Sequence, residues 1–331
     1  MSIRFGIAGL NHPHVEYLIE EVARRSGDVR LIAIADSDSV LRERFSRRLG
    51  VTAAYSDYRE MLARERLDAV GVVAVFGERA EIIRYCLAAG VHVISDKPLC
   101  TRLADLTAIE EAWRESGRIL SVMLEKRFYP PTLALREVLA DNELGEPALA
   151  WCSGPHQLRR STRPAWMFGR RSYGGILNDL AVHDVDLLLW LTGARSGHVQ
   201  GFTGNKGNKD LPAFEDHGQL CLRTDDGLLA AIEVHWFGPE AAPYHGDYRM
   251  VLTGTEGTAE LRWAHNELVV ATHRVPPRKV DLPHMQYPAS DFFAAILAGK
   301  EQEILVEEIF VATRVVLLAQ ATANSGTWQR W

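Results

Sequence analysis

GIAGLNHPH, residues 6–14, is the stretch whose reading decides the fold. It follows the short apolar run 3–8 and precedes an amphipathic stretch at 15–25. A turn from strand to helix holds a dinucleotide when it carries G-x-G-x-x-G. The glycines allow a tight turn, close approach to pyrophosphate and close packing of helix on strand. Here Gly9 fills the first slot, Asn11 stands in the second and His14 in the third. Asparagine tolerates the left-handed backbone better than most residues, so the turn can survive. Gly9, Asn11 and His12 are the candidate cofactor contacts. An ordinary strand-to-helix turn is the competing reading.

Asp36 ends the second apolar run, VRLIAIA at 29–35. A carboxylate there can accept hydrogen bonds from a ribose 2′-hydroxyl and repel a 2′-phosphate, which favours NAD over NADP. The alternative is that Asp36 caps the next helix. Further apolar runs at 69–75, 91–94 and 119–124 alternate with helical stretches at 40–49, 80–89 and 101–116. Strands that are apolar throughout and separated by helices indicate a doubly wound parallel α/β sheet, with its ligand crevice at the carboxyl ends of the strands. VHVISDKPLCT (91–101) puts Lys97 directly after one such strand. Pro98 stiffens the turn that aims it. The competing reading is a surface Asp–Lys pair.

The pattern changes near residue 124. A helix is expected at 132–142, a strand at 148–152 and an arginine-rich loop at 154–173 that contains Arg163 and Trp166. Alternating strands then form hairpins around Asp226–Gly227 and around 255–257, and two helices close the chain. This predicts an α+β domain with a large, mainly antiparallel open sheet. The expected domains are therefore 1–124 and 125–331. One long helix is expected at 176–191, and on it Asp179, His183 and Asp186 fall at i, i+4 and i+7. At about 100° per residue they share one face within about 60°. The other faces are apolar, so the helix is buried. Buried carboxylates beside a histidine are costly unless paired or functional. A structural network is the competing reading, most of all for Asp186.

The 331 residues fit two domains of about 150 each. Hydrophobic residues make up 47% and charged residues 24%, with a net charge of −6, so nucleic acid and anionic membrane are unexpected partners. No apolar run spans a bilayer and no signal peptide stands at the start. The four cysteines, Cys86, Cys100, Cys152 and Cys221, form no C-x-x-C pair, which points to a reducing cytoplasm. No histidine pair has strong ligand spacing, so no metal is expected.

Taken together, the turn at 6–14, the acidic-Lys-Pro turn at 96–98, KRFYPP at 126–131, the D-x-x-x-H-x-x-D of Asp179, His183 and Asp186, and GTEGTAEL at 254–261 resemble the glucose–fructose oxidoreductase / inositol dehydrogenase / rhizopine catabolism (Gfo/Idh/MocA) family over nearly the whole chain. The resemblance implies a Rossmann domain, NAD(P) as cofactor, and hydride transfer from a secondary hydroxyl of a sugar, cyclic polyol or sugar acid. It implies that His183 is the general base, alone or with Lys97. Lys97 would polarise the reacting oxygen, and Asp179 would orient substrate or tune the histidine. Lys97, Arg127, Asp179 and His183 would bind substrate, and Lys97 would also touch cofactor. Trp166 and Arg163, in the loop before the helix, are candidates to line the substrate pocket; solvent-side loop residues are the competing reading. The resemblance further implies a homodimer or homotetramer. The chain departs from the family where Asp96 replaces the usual Glu and where Arg79 stands in place of a histidine. Two other functions share such a scaffold: a redox-neutral lyase or glycosidase that oxidises transiently, and a non-catalytic NAD-binding regulator.

Overall fold

The computed structural model describes residues 2–300, 302 and 304–331. The chain divides into two compact units. The first comprises Met1–Met123, Arg171–Tyr173 and Tyr287–Phe310. The second comprises Leu124–Arg170, Gly174–Gln286 and Val311–Trp331.

The first 123 residues alternate strand and helix: β1 (Ile3–Ala8), α1 (Val15–Arg24), β2 (Val29–Ala35), α2 (Ser39–Leu49), β3 (Ala53–Tyr55), α3 (Tyr58–Arg64), β4 (Ala69–Val72), α4 (Arg79–Ala88), β5 (His92–Asp96), α5 (Leu103–Ser116) and β6 (Leu120–Met123). The six strands are parallel in the order β3-β2-β1-β4-β5-β6. The order reverses beside β1, so the carboxyl ends of β1 and β4 open the crevice that binds ligand in such sheets. The short pair β3 and α3 carries too few apolar residues to show in the periodicity. Asp38 caps α2 by accepting from the Val40 and Leu41 amides at 2.8 and 3.2 Å, and Gly50 closes it in the left-handed conformation.

The remaining elements are α6 (Pro130–Ala140), β7 (Pro147–Pro155), α7 (Arg170–Tyr173), α8 (Val182–Thr192), β8 (Gly197–Gly204), β9 (His217–Thr224), β10 (Leu229–His235), β11 (Arg249–Gly254), β12 (Gly257–Arg262), β13 (Glu267–Thr272), β14 (Arg278–Lys279), α9 (Pro288–Ala298), α10 (Val306–Ala321) and β15 (Gln329–Arg330). Nine of these strands make one sheet in the order β14-β13-β12-β11-β7-β10-β9-β8-β15. All its pairs are antiparallel except β7 with β10. Alternation sets its faces. Leu220, Leu222, Ile232, Val234, Met250 and Leu252 are buried, while Leu149, Trp151 and Leu229 on the opposite face are exposed.

Two features differ from the sequence reading. The helix expected at 176–191 is not one regular α-helix. Leu177–Ala181 form a π-helical turn before α8 begins. The wider turn holds more residues than 3.6, so the 100° spacing does not apply at Asp179. The second feature is the return of the chain to the first unit at Tyr287–Phe310. There the Phe293 ring of α9 packs edge-on against Phe5 of β1 at 5.2 Å, and Phe292 is fully buried in the same core. An aromatic pair of this kind buries a large apolar area and fixes the helix. Among the described residues, no helix is long and apolar enough to cross a membrane. The four cysteines are free thiols.

Candidate active site

The turn after β1 is built on Gly9. Its φ is +88°, and a Cβ there would lie 2.3 Å from the Ala74 backbone. Only glycine fits a left-handed turn pressed against the neighbouring strand. Asp36 holds the rest of the turn from the end of β2. Its Oδ2 accepts from the Leu10 amide at 2.7 Å and from Asn11 Nδ2 at 3.4 Å, and its Oδ1 accepts from the Asp38 amide at 2.8 Å. The helix cap is thus Asp38, and Asp36 faces the turn. Asn11 keeps the second slot by hydrogen bonding, where the usual glycine would act by permissiveness.

A pocket of about 340 Å³ opens beside this turn, lined by Gly9, Asn11, Asp36, Ser37, Tyr58 and Glu78 among others. Burial raises the Glu78 carboxyl above its ordinary range, and the nearby Asp36 adds to the shift. Asp57, Glu81 and Arg59 line it as well, and Arg59 is paired with both of those acids, so Asp36 and Glu78 supply the pocket's unneutralised acidic character. A site of this polarity fits an adenosine with a free 2′-hydroxyl and opposes a 2′-phosphate. The residues present fit NAD.

At the end of β5, Asp96 is fully buried and Lys97 is 5% exposed. They are therefore not a surface pair. Asp96 is the hub of the region. Its Oδ2 accepts from Arg79 Nη2 at 2.7 Å and lies 3.0 Å from His12 Nδ1, and its Oδ1 lies 2.7 Å from His14 Nδ1. Burial alone would raise this carboxyl. His14, Arg79 and His12 outweigh it and hold Asp96 well below the usual carboxylate range. The same burial lowers His12 from 6.5 to about 3, against the pull of Asp96, so His12 is neutral. Arg79, itself fully buried, also donates to the carbonyls of Ala74 at 2.9 Å and of Asp96 and Pro98 at 3.0 Å each. The peptide between Lys97 and Pro98 is cis.

In the second unit, the π-turn carries Asp179, which is 2% exposed, and α8 carries His183, which is 3% exposed. π-Turns inside helices are frequent at functional sites. A short 3-10 turn at Glu125–Phe128 faces this helix residue by residue. Glu125 Oε1 lies 3.5 Å from His183 Nε2, Lys126 Nζ donates to Asp184 Oδ1 at 2.8 Å, and Arg127 makes a two-pronged pair with Asp186 at 2.6 and 2.8 Å. The last two pairs are almost fully buried. Arg127 therefore stands in a buried ion pair with Asp186 and under Trp190. Trp166 lies partly buried on a 3-10 turn at Ala165–Phe168.

Of the residues the sequence singled out, the first unit brings together Gly9, Asn11 and Asp36, and separately His12 with the Asp96 that precedes Lys97. The second unit places Asp179 and His183 on consecutive turns of one buried helix. The sequence reading gave no role to Asp96, His14, Glu125, Lys126 and Asp184. Arg79 drew notice only as a departure. An arginine at the very start of a helix that follows a buried strand is the available signal, because a buried guanidinium needs several acceptors.

Two family models match the chain: an oxidoreductase family with an NAD-binding Rossmann fold over residues 3–124, and a GFO/IDH/MocA C-terminal domain over 132–260. Among curated relatives, myo-inositol 2-dehydrogenase of Thermotoga maritima is 28% identical, over 77% of this chain and 74% of its own. The scyllo-inositol 2-dehydrogenase (NAD(+)) of Bacillus subtilis is 26% identical, over 76% and 71%. The fold superposes on an oxidoreductase from Agrobacterium radiobacter, solved with NAD+, L-tartaric acid and magnesium. The TM-score is 0.85 at 18% identity, over 99% of this chain and 98% of the other. Together with the turn, the pocket and Asp36, these matches show that the chain belongs to the Gfo/Idh/MocA family of NAD-dependent oxidoreductases, dehydrogenases acting on CH–OH groups.

Proposed function

We propose that the protein oxidises a secondary hydroxyl of a sugar, cyclic polyol or sugar acid with NAD as acceptor. The observation that carries this reading is the retention of Lys97 at a buried strand end together with Asp179 and His183 on a buried π-turn and helix. A regulator that only senses NAD has no use for three buried ionisable groups placed in this way. The inositol dehydrogenases among its relatives favour a cyclic polyol.

NAD, when bound, would supply the hydride acceptor. Gly9, Asn11 and His12 form the turn that would hold its phosphates, and Asp36 would accept from the adenosine ribose. The Lys97 ammonium polarises the reacting oxygen and stabilises the alkoxide that develops on it. The His183 imidazole takes the hydroxyl proton, and Glu125 orients the ring. Asp179 orients substrate hydroxyls. Trp166 completes the proposed substrate contacts, and Arg127, expected to bind substrate, instead supports the helix through its pair with Asp186.

The test is nicotinamide absorbance with NAD against a panel of sugars, polyols and sugar acids. Lys97→Ala and His183→Ala should each lower turnover by about 100-fold or more, the scale of acid–base groups. Wild-type turnover in both would sink the assignment. Product formed with no net NADH would point to a redox-neutral reaction instead.

A further inference from the structure

We propose that Arg79 and Asp96 act as a positioning pair that sets Lys97 and the cofactor turn as one unit, with His14 joining them from the third glycine slot. The inference rests on Lys97 being the lysine of the reaction. Arg79 donates to the carbonyls on both sides of Lys97, those of Asp96 and Pro98, and to that of Ala74, which packs on Gly9. Its remaining nitrogen reaches the Asp96 carboxylate. That carboxylate reaches across to His14, the residue before α1, at 2.7 Å. One planar guanidinium thus fixes the lysine's backbone and, through one carboxylate, the start of the helix that closes the cofactor turn.

A buried ion pair returns little net stability, because desolvation offsets its attraction. Apolar side chains would pack this volume as well. They could not hold three carbonyls and two imidazoles in fixed directions, and that is what the pair does. Arginine is the residue for it, since its donors lie in one rigid fork. In the family pattern a glycine in the third slot lets helix and strand approach. Here the slot carries a side chain instead, anchored on the residue before the lysine. The tie between turn and lysine is therefore made by hydrogen bonds.

His12, His14 and Asp96 also have donor atoms close enough to surround a metal. The geometry favours hydrogen bonds. The nitrogen–oxygen separations of 2.7 and 3.0 Å are hydrogen-bond lengths, and Arg79 already holds the oxygen that faces His12. A cation placed there would be repelled by the guanidinium.

The experiment compares Asp96→Asn, Arg79→Lys and His14→Gly with the wild type. It reads kcat, KM for NAD, NADH affinity by fluorescence titration, melting temperature, and the histidine nitrogen signals of the free protein by NMR. Asp96→Asn should lower kcat at saturating NAD by about tenfold or more, weaken NADH binding by a similar factor, and shift the His14 nitrogen signals. Arg79→Lys keeps the charge and loses the fork, so kcat should fall even where the melting temperature changes little. His14→Gly restores the glycine slot yet should raise KM and the NADH dissociation constant together, and lower kcat less than Asp96→Asn does. If the folded variants keep wild-type kcat, KM and NADH affinity and lose only melting temperature, the network is structural and the proposal is overturned. If Asp96→Asn does not fold, the other two decide. Failure of the functional reading is distinguishable, because then Lys97→Ala would itself keep full turnover.

Discussion

Arg79 and Asp96 meet at 2.7 Å, with both side chains fully removed from solvent. The pair anchors both imidazoles of the turn after β1, and the buried His12 makes the fold sensitive to acid. Burial depresses His12 from 6.5 to about 3. The folded protein therefore refuses a proton that the unfolded chain accepts below about pH 6.5. The resulting stability is complete above pH 6.5 and is lost as pH falls toward 3. Asp96, held low, acts in the same direction at still lower pH. Urea unfolding should show stability falling from pH 6.5 downward, with a slope of up to about 1.4 kcal/mol per pH unit per proton. His12→Asn should flatten that slope between pH 6 and about 4. An equal slope in both proteins would refute the neutral, buried histidine.

Cofactor choice should depend on two carboxylates. Asp36 and Glu78 both line the pocket beside the Gly9 turn. Asp36→Ala and Glu78→Gln should each move the ratio of kcat/KM for NAD over NADP toward NADP by about tenfold, or about 1.4 kcal/mol. The double variant should move it further. An unchanged ratio in Asp36→Ala would count against its ribose role.

Gly9→Ala should be among the most damaging single changes in the first unit. A Cβ at that position would lie 2.3 Å from the Ala74 backbone, and φ is +88°. Backbone must move on one side or the other, at a cost of about 1–3 kcal/mol for the strained conformation alone. Thermal melting and NADH titration should both show the loss. Retained NADH affinity would mean that the turn does not carry the cofactor.

Breaking the Lys126–Asp184 pair should cost more than removing it. Lys126→Met leaves a carboxylate buried without its cation, and about 3–5 kcal/mol of stability should go. Lys126→Met with Asp184→Leu should recover a large part of that. Denaturant midpoints of the two single variants and the double variant check this. Additive losses would show that the two residues do not couple.

The open face of the nine-stranded sheet should carry a homo-oligomer contact. Cys221, Ala231, Trp151 and Val251 form one row across four strands, with Leu149 and Leu229 paired beside it. Trp151, Leu149 and Leu229 are exposed. Large apolar side chains grouped on one exposed face are what a subunit contact would cover. Sedimentation should report a dimer or tetramer, and Trp151→Glu should shift it toward monomer. A monomeric wild type would remove the face from consideration.

The architecture was legible because it rests on period and punctuation. Apolar runs such as 29–35 and 69–72, each followed by a helix, can only pack as a parallel sheet covered on both faces. The alternation at 217–224 and 229–235, with a turn between, can only be a half-buried hairpin. The candidate site was legible in placement, since Asp36 and Lys97 stand directly after the strands that the sequence pointed to. The pairings were not legible. Nothing in sequence spacing links Arg79 to Asp96, or Lys126 and Arg127 to Asp184 and Asp186, because partners tens of residues apart are chosen by packing. The π-turn at Leu177–Ala181 is equally silent, since one extra residue in a turn leaves the apolar pattern nearly unchanged.

The sequence by itself thus determined the order of the main elements, though not β3 and α3, together with the glycine at position 9 and the chemical types at the strand ends. Local propensity and burial act on neighbouring residues and leave a readable period. Only the tertiary structure decided which buried charges neutralise one another. Asp96 reads as part of a loop in the sequence, yet it becomes the acceptor for Arg79, His12 and His14. A charge removed from water must find its partners wherever the fold brings them, and that choice is made in three dimensions.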